Sequence, residues 1–105
     1  MGKPVTPRAQ ARTDVENIVD HYLRDAGADV ALRFVAALEV AYGAIAARPG
    51  AGSPRFAHEL GLPGLRSRAV GRFPHLIFYV EQPDHVDVWR VLHARRDMAE
   101  WLAQD

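Results

Sequence analysis

Helical and strand-forming patterns occupy different halves of this 105-residue chain, and this separation constrains its fold more than any other feature. Residues 13–25 and 29–47 carry apolar side chains at helical spacing. β-branched and aromatic residues are concentrated instead after residue 64. Such segregation favours an α+β fold, in which helices pack on one face of a small antiparallel sheet to give two layers.

The helical half is predicted to be an antiparallel hairpin. Its first helix has the apolar stripe Val15, Ile18, Val19, Tyr22 and Leu23. Thr13 and Glu16 have the spacing of a capping box at the start of this helix, and Gly27 provides a stop. The second helix is predicted over residues 29–47 and ends before Pro49. The short link at residues 26–28 makes the two helices antiparallel neighbours.

The second half is predicted to contain a loop, three strands and a short helix. Prolines and glycines crowd residues 49–64, so we expect a loop with at most one helical turn at residues 55–60. Strands are predicted at residues 65–70, 76–80 and 86–93, the last two joined as a β-hairpin. We also predict an N-terminal edge strand at residues 3–6 and a C-terminal helix at residues 97–103. The length supplies one core, so residues 1–105 are interpreted as a single domain.

The register of the predicted hairpin decides which side chains share a face of the sheet. If Val80 pairs with Val86, one face combines histidine and aromatic side chains with an acid, comprising His75, Ile77, Tyr79, Asp87, Trp89, Val91 and His93. This face is either a binding platform with acid–base groups or ordinary half-buried packing. Arg90 alternates with these residues along the strand, so it is expected on the opposite face of the sheet. It is predicted to be a structural arginine, paired or lying at the edge of the layers.

Composition excludes several kinds of site. The chain has no cysteine, which rules out disulfides and thiolate chemistry and favours the cytoplasm. The histidine spacings fit no zinc motif, and the glycines after Pro49 lack the lysine of a phosphate-binding loop, so we expect no metal and no cofactor. No apolar run approaches the ~18 to 20 residues of a membrane span, so no membrane association is expected.

Charge is balanced overall, with 13 basic and 13 acidic residues, but one segment is basic. Between residues 55 and 79 there are four arginines and one glutamate, which gives 4 − 1 = +3. Arg66 and Arg68 alternate along a predicted strand, so they project from the same face about 7 Å apart, close to the spacing of successive phosphates. They are interpreted either as solvated charges or as target-binding residues.

The segment Val88-Trp-Arg-Val-Leu-His-Ala-Arg-Arg-Asp97 resembles the last strand of ParE-type toxins in the RelE/ParE superfamily, where the usual pattern is Arg-Val-Leu-His-Gly-Arg-Arg-Asp. Upstream, Gly64-Leu-Arg and residues 72–79 resemble the two preceding strands, while residues 6–9 and 14–18 resemble the opening strand and first helix. The resemblance covers nearly the whole chain. It implies a cytoplasmic toxin of a type II toxin–antitoxin system with this α+β fold.

Members of the superfamily differ in mechanism, because ParE-type toxins inhibit DNA gyrase whereas RelE-type toxins are ribosome-dependent messenger RNA nucleases. Leu76 stands where the nucleases have an arginine, and Trp101 stands where they have a late tyrosine. Arg95 keeps a third nuclease position, and His93 could act as a base. The two losses favour gyrase inhibition without catalysis. The alternatives are a RelE-type endoribonuclease, with His93 and Arg95 as catalytic residues, or an inactive antitoxin-binding homologue.

The resemblance also implies partners, namely DNA gyrase as target and a cognate antitoxin that forms a hetero-oligomer with the toxin. The antitoxin is expected to be a ParD-like ribbon-helix-helix protein whose tail wraps the toxin, with the groove beside the helical hairpin as its dock. The sequence assigns no antitoxin-binding residues. Five residues are predicted to bind the target: Arg66, Arg68, His93, Arg95 and Arg96. A purely structural interpretation of residues 93–97 has Asp97 capping the C-terminal helix while Arg95 and Arg96 pair with nearby acids. In the functional interpretation, Arg95 is expected to face the target.

Overall fold

The computed structural model describes residues 2–103. The elements follow in the order β1 (Val5–Pro7), α1 (Ala9–Asp25), α2 (Ala28–Ala47), a single 3₁₀ turn (Pro49–Ala51), α3 (Arg55–Leu60), β2 (Leu65–Ala69), β3 (His75–Glu81), β4 (Val86–His93) and α4 (Arg96–Ala103). The predicted α+β order is confirmed, including the helical hairpin, the edge strand and the single helical turn that becomes α3.

The four strands form one sheet in the order β1-β4-β3-β2. Strand β3 is antiparallel to both β2 and β4, as predicted. Strand β1 is at the edge, but it runs parallel to β4, with Val5 beside Val86. The sheet is therefore mixed at this edge, where the chain passes directly from β1 into α1 and the backbone N–H of Arg8 donates to the carbonyl of Val88 at 2.9 Å.

The sheet is covered on both faces, so the prediction of two layers was wrong. The helical hairpin covers one face, where α1 and α2 enclose a core of buried side chains that includes Phe34, Ile45, Ile77, Tyr79, Val88 and Val91. Helices α3 and α4 cover the other face through Phe56 and Trp101, whose rings lie 5.5 Å and 4.9 Å from the ring of Phe78. We call the residues on this second face the outer cluster; it is built around Leu65, Phe78, Leu92 and Met98.

Helix α1 begins four residues earlier than predicted, at Ala9 instead of Thr13. Thr13 and Glu16 are exposed within the helix and form no capping box, so this prediction was wrong. The apolar stripe of α1 starts one turn earlier, with the fully buried Ala11. Alanine favours helix but is too small to mark a hydrophobic face in the sequence, which explains the error.

The predicted hairpin between β3 and β4 is present, but its register differs by one residue near the turn. Val80 pairs with Asp87, and Val86 pairs with Glu81. A bulge next to Phe78 leaves Trp89 without a partner on β3. The alternation of faces along β4 is therefore shifted by one residue on the two sides of Trp89. His75, Ile77 and Tyr79 therefore share a face with Val91 and His93 as predicted, whereas Asp87 and Trp89 lie on the other face.

Helix α2 has a mean hydropathy of 1.7 and 20 residues, so by length and composition alone it meets the criteria for a membrane span. This corrects the expectation that no segment approaches that length. One stripe of the helix lies in the core of the hairpin side and comprises Ala31, Phe34, Leu38, Ala41 and Ile45. Its packing on the sheet is that of a core helix.

Candidate functional site at the end of β4

A groove of about 460 Å³ lies between α1 and α4, beside the C-terminal end of β4. We call it the polar groove, because charged and imidazole side chains dominate its lining, among them Asp14, His21, His75, Arg90, Arg96 and Asp97. Four different elements supply these groups, namely α1, the two central strands β3 and β4, and α4. The groove thus depends on the correct packing of both ends of the chain.

The ion pair between Arg90 and Asp14 forms one wall of the polar groove. Arg90 donates from Nε and Nη2 to the two carboxylate oxygens of Asp14, at 2.8 and 2.9 Å. The same carboxylate accepts the backbone N–H of Val91 at 3.0 Å, because β1 ends at Pro7 and leaves this edge of β4 unpaired. These bonds raise the pKa of Arg90 above its ordinary value. The prediction of a paired, structural Arg90 is confirmed.

His93 connects β4 to α4 through its ring and its backbone. The ring Nδ1 accepts the backbone N–H groups of Arg95 and Arg96 at 3.1 and 3.2 Å, so it caps the start of the helix. The backbone N–H of His93 donates to Asp97 Oδ2 at 2.7 Å. The structural interpretation of the sequence made Asp97 the cap of α4. In the structure the His93 ring caps the helix instead, and Asp97 accepts a hydrogen bond from the His93 backbone. Because Nδ1 accepts hydrogen bonds, the neutral ring carries its proton on Nε2.

His75 lies on β3 directly across from His93, with the two rings 5.5 Å apart. It is buried against the rings of Tyr22 and Phe34, and its Nδ1 has no hydrogen-bond partner within the described part of the chain. Burial lowers the pKa of His75 to about 4, with His93 and the Arg96 guanidinium adding to the effect. The imidazole is therefore neutral at physiological pH.

Arg95 and Arg96 are exposed but lie on different sides of the junction. Arg96 lines the polar groove, where its charge adds to the lowering of the pKa of His75. Burial raises the pKa of Tyr22, and the Arg96 charge only partly opposes this. Arg95 lies in the turn before α4 and is not part of the groove lining. Adjacent arginines thus point in different directions, as the sequence suggested for this pair.

Arg66 and Arg68 lie on β2, at the far edge of the sheet from β1. They pair with Tyr79 and Ile77, two residues of one face, which confirms that the arginines project together. Arg66 Nη1 donates to the carbonyl of Gly52 at 2.7 Å. Since β3 separates β2 from β4, the five predicted target-binding residues form two groups: Arg66 and Arg68 on β2, and His93, Arg95 and Arg96 at the end of β4.

A second, shallower groove of about 650 Å³ runs between α2 and β2. We call it the apolar groove; its lining is Ala36, Ala37, Val40, Ala41, Arg68, Ala69 and Gly71. On the outer side of α2, Val40 is 74% exposed and Leu32 is 67% exposed. Val40 also lines the apolar groove, so one exposed apolar side chain is continuous with a largely apolar surface.

The sequence analysis missed Asp14, Asn17 and His21 as members of the polar groove. Their positions on the polar side of α1 resemble those of any solvated residue, and only the packing of α1 beside β4 places them there. One sequence signal was available for Asp14. The predicted paired state of Arg90 required an acid, and Asp14 borders the apolar stripe of α1.

Two of the imidazoles near the groove are restrained by their surroundings. The Nδ1 lone pair of His93 is used by two N–H groups, and His75 is buried. Leu76 and Trp101 pack against the outer cluster. Among residues 2–103, no three histidine, aspartate or glutamate side chains converge as they would around a metal ion.

A mixed four-stranded sheet with a helical hairpin on one face and short helices on the other defines a small α+β fold. The chain belongs to the family described as "ParE toxin of type II toxin-antitoxin system, parDE", whose model matches residues 5–98. One similar solved structure is a chain of the chromosomal ParDE toxin–antitoxin system from P. aeruginosa. It has a TM-score of 0.73 and 22% identity, over 89% of this chain and 97% of that one. No curated protein matches.

Membership of this family has one consequence for partners. A type II system pairs a protein toxin with a protein antitoxin, so an antitoxin partner is implied for this chain.

Proposed function

We propose that this toxin inhibits DNA gyrase without cleaving RNA, and that a ParD-like antitoxin encoded beside it neutralises it in the cytoplasm. The observation that carries the proposal is the ParE family match over residues 5–98. ParE-type activity fits a chain in which the candidate base His93 uses its Nδ1 to cap α4.

The absence of RNA cleavage is supported by the surroundings of three side chains. RNA cleavage that produces a 2′,3′-cyclic phosphate requires a base to deprotonate the 2′-hydroxyl and an acid to protonate the leaving oxygen. Leu76 cannot transfer a proton, and Trp101 packs on Phe78. His93 uses its basic nitrogen to cap α4. Arg95 alone keeps a nuclease position, and one cation can stabilise charge but cannot move protons.

The target-binding surface is proposed to be the junction of β4 and α4, with Arg95 at its centre. The Arg95 side chain makes no hydrogen bond or ion pair to the residues that the structure describes. An exposed guanidinium of this kind is free to form a bidentate pair with a carboxylate or phosphate of the target. Arg66 and Arg68 would form a second, separate contact, and the Arg66 guanidinium is already partly held by Gly52.

The antitoxin tail is proposed to lie in the apolar groove and over the exposed ridge of α2. Val40 belongs to both surfaces. An amphipathic tail that folds on this surface would cover the apolar side chains, while Arg68 at the rim would pair with its acidic residues. Folding on binding would let a short segment wrap a large area.

Expression of the toxin alone and with its neighbouring antitoxin tests this proposal. The toxin alone should arrest growth, and the antitoxin should restore it. Val40→Glu should remain toxic but lose most of the rescue, whereas Leu23→Glu, a change at a 49% exposed site on α1, should keep it. Cells that grow normally with soluble, folded toxin would contradict the toxin assignment, and equal rescue of both variants would contradict the docking site. Toeprinting of translated messages should show no cleavage; new stops that depend on the toxin would favour the RelE-type alternative.

A further inference from the structure

The attachment of α4 to the sheet depends on one imidazole nitrogen. His93 Nδ1 accepts the backbone N–H groups of Arg95, just before α4, and of Arg96, its first residue, and the His93 backbone N–H donates to Asp97. Farther along the helix, Met98 is 4% exposed and Trp101 packs on Phe78. The helix is therefore held by a polar contact at its start and by apolar contacts along its inner side.

Protonation of Nδ1 would remove this cap. A protonated ring nitrogen has no lone pair, so both N–H groups would lose their acceptor at once. The new positive charge would also lie against the N-terminal end of a helix, where the helix dipole already disfavours cations. Both effects act in the same direction and weaken the start of α4.

The charged and titratable groups that face His93 also disfavour a cation there. From α4 come Arg95 and Arg96, opposed by the Asp97 carboxylate, which is already engaged with the His93 backbone. From β3 comes the buried His75, and beyond it His21 of α1. Burial and the arginines lower the pKa of His93 below its ordinary value.

We propose that His93 is an acid-sensitive latch, and that protonation of its Nδ1 releases α4 from the sheet. Release would uncover Phe78 and Leu92 of the outer cluster and would displace Arg95 and Arg96 from the junction. The latch follows from the contacts of α4 and does not depend on which target the toxin inhibits.

The direction of the pH effect follows from proton linkage. In the released state His93 regains an ordinary pKa of about 6.5, and in the docked state its pKa is lower. The released state therefore binds the proton more readily, and lowering the pH below about 6.5 favours it. Between the two pKa values, release becomes about tenfold more favourable for each pH unit.

Hydrogen exchange of the purified toxin tests the latch. Protection factors of the α4 amides, corrected for intrinsic rates, are compared with those of α2 at pH 7.0 and 5.0. In the wild type, α4 should lose more protection at the lower pH than α2 does, because α2 reports only the loss of global stability that acid causes through His75. His93→Asn keeps an acceptor that does not titrate, so its α4 should lose no more protection than its α2. His58→Asn alters an exposed histidine on α3 and should behave as the wild type.

Two further measurements make the test decisive. His93→Ala, which has no acceptor, should show weak α4 protection at both pH values, with α2 reporting whether the protein is folded. Nitrogen NMR of the His93 ring at pH 7.0 should show the tautomer with its proton on Nε2. A wild-type α4 that is equally protected at both pH values, an Nδ1-protonated tautomer, or a His93→Asn response as large as that of the wild type would overturn the proposal.

Discussion

Asp14 and Arg90 are 76 positions apart in the sequence, yet they form two hydrogen bonds that join the first helix to the last strand. The Asp14 side chain is 10% exposed and that of Arg90 is 28% exposed, so the pair is only partly screened by water. Asp14 also caps the Val91 N–H that β1 leaves unpaired. One carboxylate thus fixes the position of α1 relative to β4 and shapes the wall of the polar groove.

The first prediction concerns the unequal importance of the two partners. Asp14→Ala should destabilise the fold by about 2 to 3 kcal/mol, because it leaves Arg90 without its partner and Val91 N–H without its acceptor. Arg90→Ala should cost less, about 1 to 2 kcal/mol, because the Asp14 carboxylate keeps the Val91 N–H. Urea denaturation of both variants measures the difference. Arg90→Ala with unchanged stability but no inhibition of the target would show that Arg90 binds the target and is not structural.

The second prediction is that stability falls as the pH is lowered from about 6.5 to about 4. The folded state holds the pKa of His75 at about 4, whereas the unfolded chain has the ordinary value of about 6.5. Between these values the unfolded state binds more protons, so acid favours unfolding, by up to about 3 kcal/mol in total. His75→Phe should reduce this pH dependence, as measured by denaturant titrations at several pH values. An unchanged slope in the variant would assign the effect to other groups.

The third prediction concerns the close approach of the loop to β3 at Gly52. A Cβ on Gly52 would overlap the hydroxyl of Tyr79, which donates to the carbonyl of Pro49 at 2.6 Å. Gly52→Ala should therefore destabilise the protein by about 2 kcal/mol through overpacking. Gly50→Ala is the matched control, since open space surrounds that position, and it should change stability little. Equal melting temperatures for the two variants would contradict the packing described for Tyr79.

The fourth prediction separates the two arginines at the junction. Truncating an arginine that makes a charge-assisted contact in a partly dry interface costs about 2 kcal/mol, or roughly thirtyfold in affinity. Arg95→Ala should lose potency against gyrase by about this factor, and Arg96→Ala should lose less, because Arg96 faces the polar groove of its own chain. Thermal melts of both variants control for folding. Full potency of a folded Arg95→Ala protein would remove Arg95 from the target-binding surface.

Much of the fold could be predicted because local patterns agree with it. Strand β4 was predicted with its observed bounds, and α2 begins one residue before its predicted start. The apolar periodicity of α2 and the β-branched run of β4 need no tertiary information to be recognised. The family resemblance of residues 88–97 was likewise local, and the family match includes the whole of that segment.

The errors arose where tertiary contacts decide the outcome. The extra residue Trp89 in β4 is not visible in the alternation of the strand, yet it places Asp87 and Trp89 on the opposite face. The outer layer was also missed, although Leu76, Phe78 and Val80 already made the alternate face of β3 apolar. A strand that is apolar on both faces requires cover on both faces.

Gyrase supercoiling assayed with purified components tests the central proposal most directly. Relaxed plasmid, gyrase and ATP are incubated with increasing amounts of the toxin, and the toxin–antitoxin complex serves as the control. The account predicts that the free toxin blocks supercoiling in a dose-dependent manner and that the complex does not. Undiminished supercoiling at a large molar excess of folded toxin would contradict gyrase inhibition, whatever effect the toxin had on growing cells.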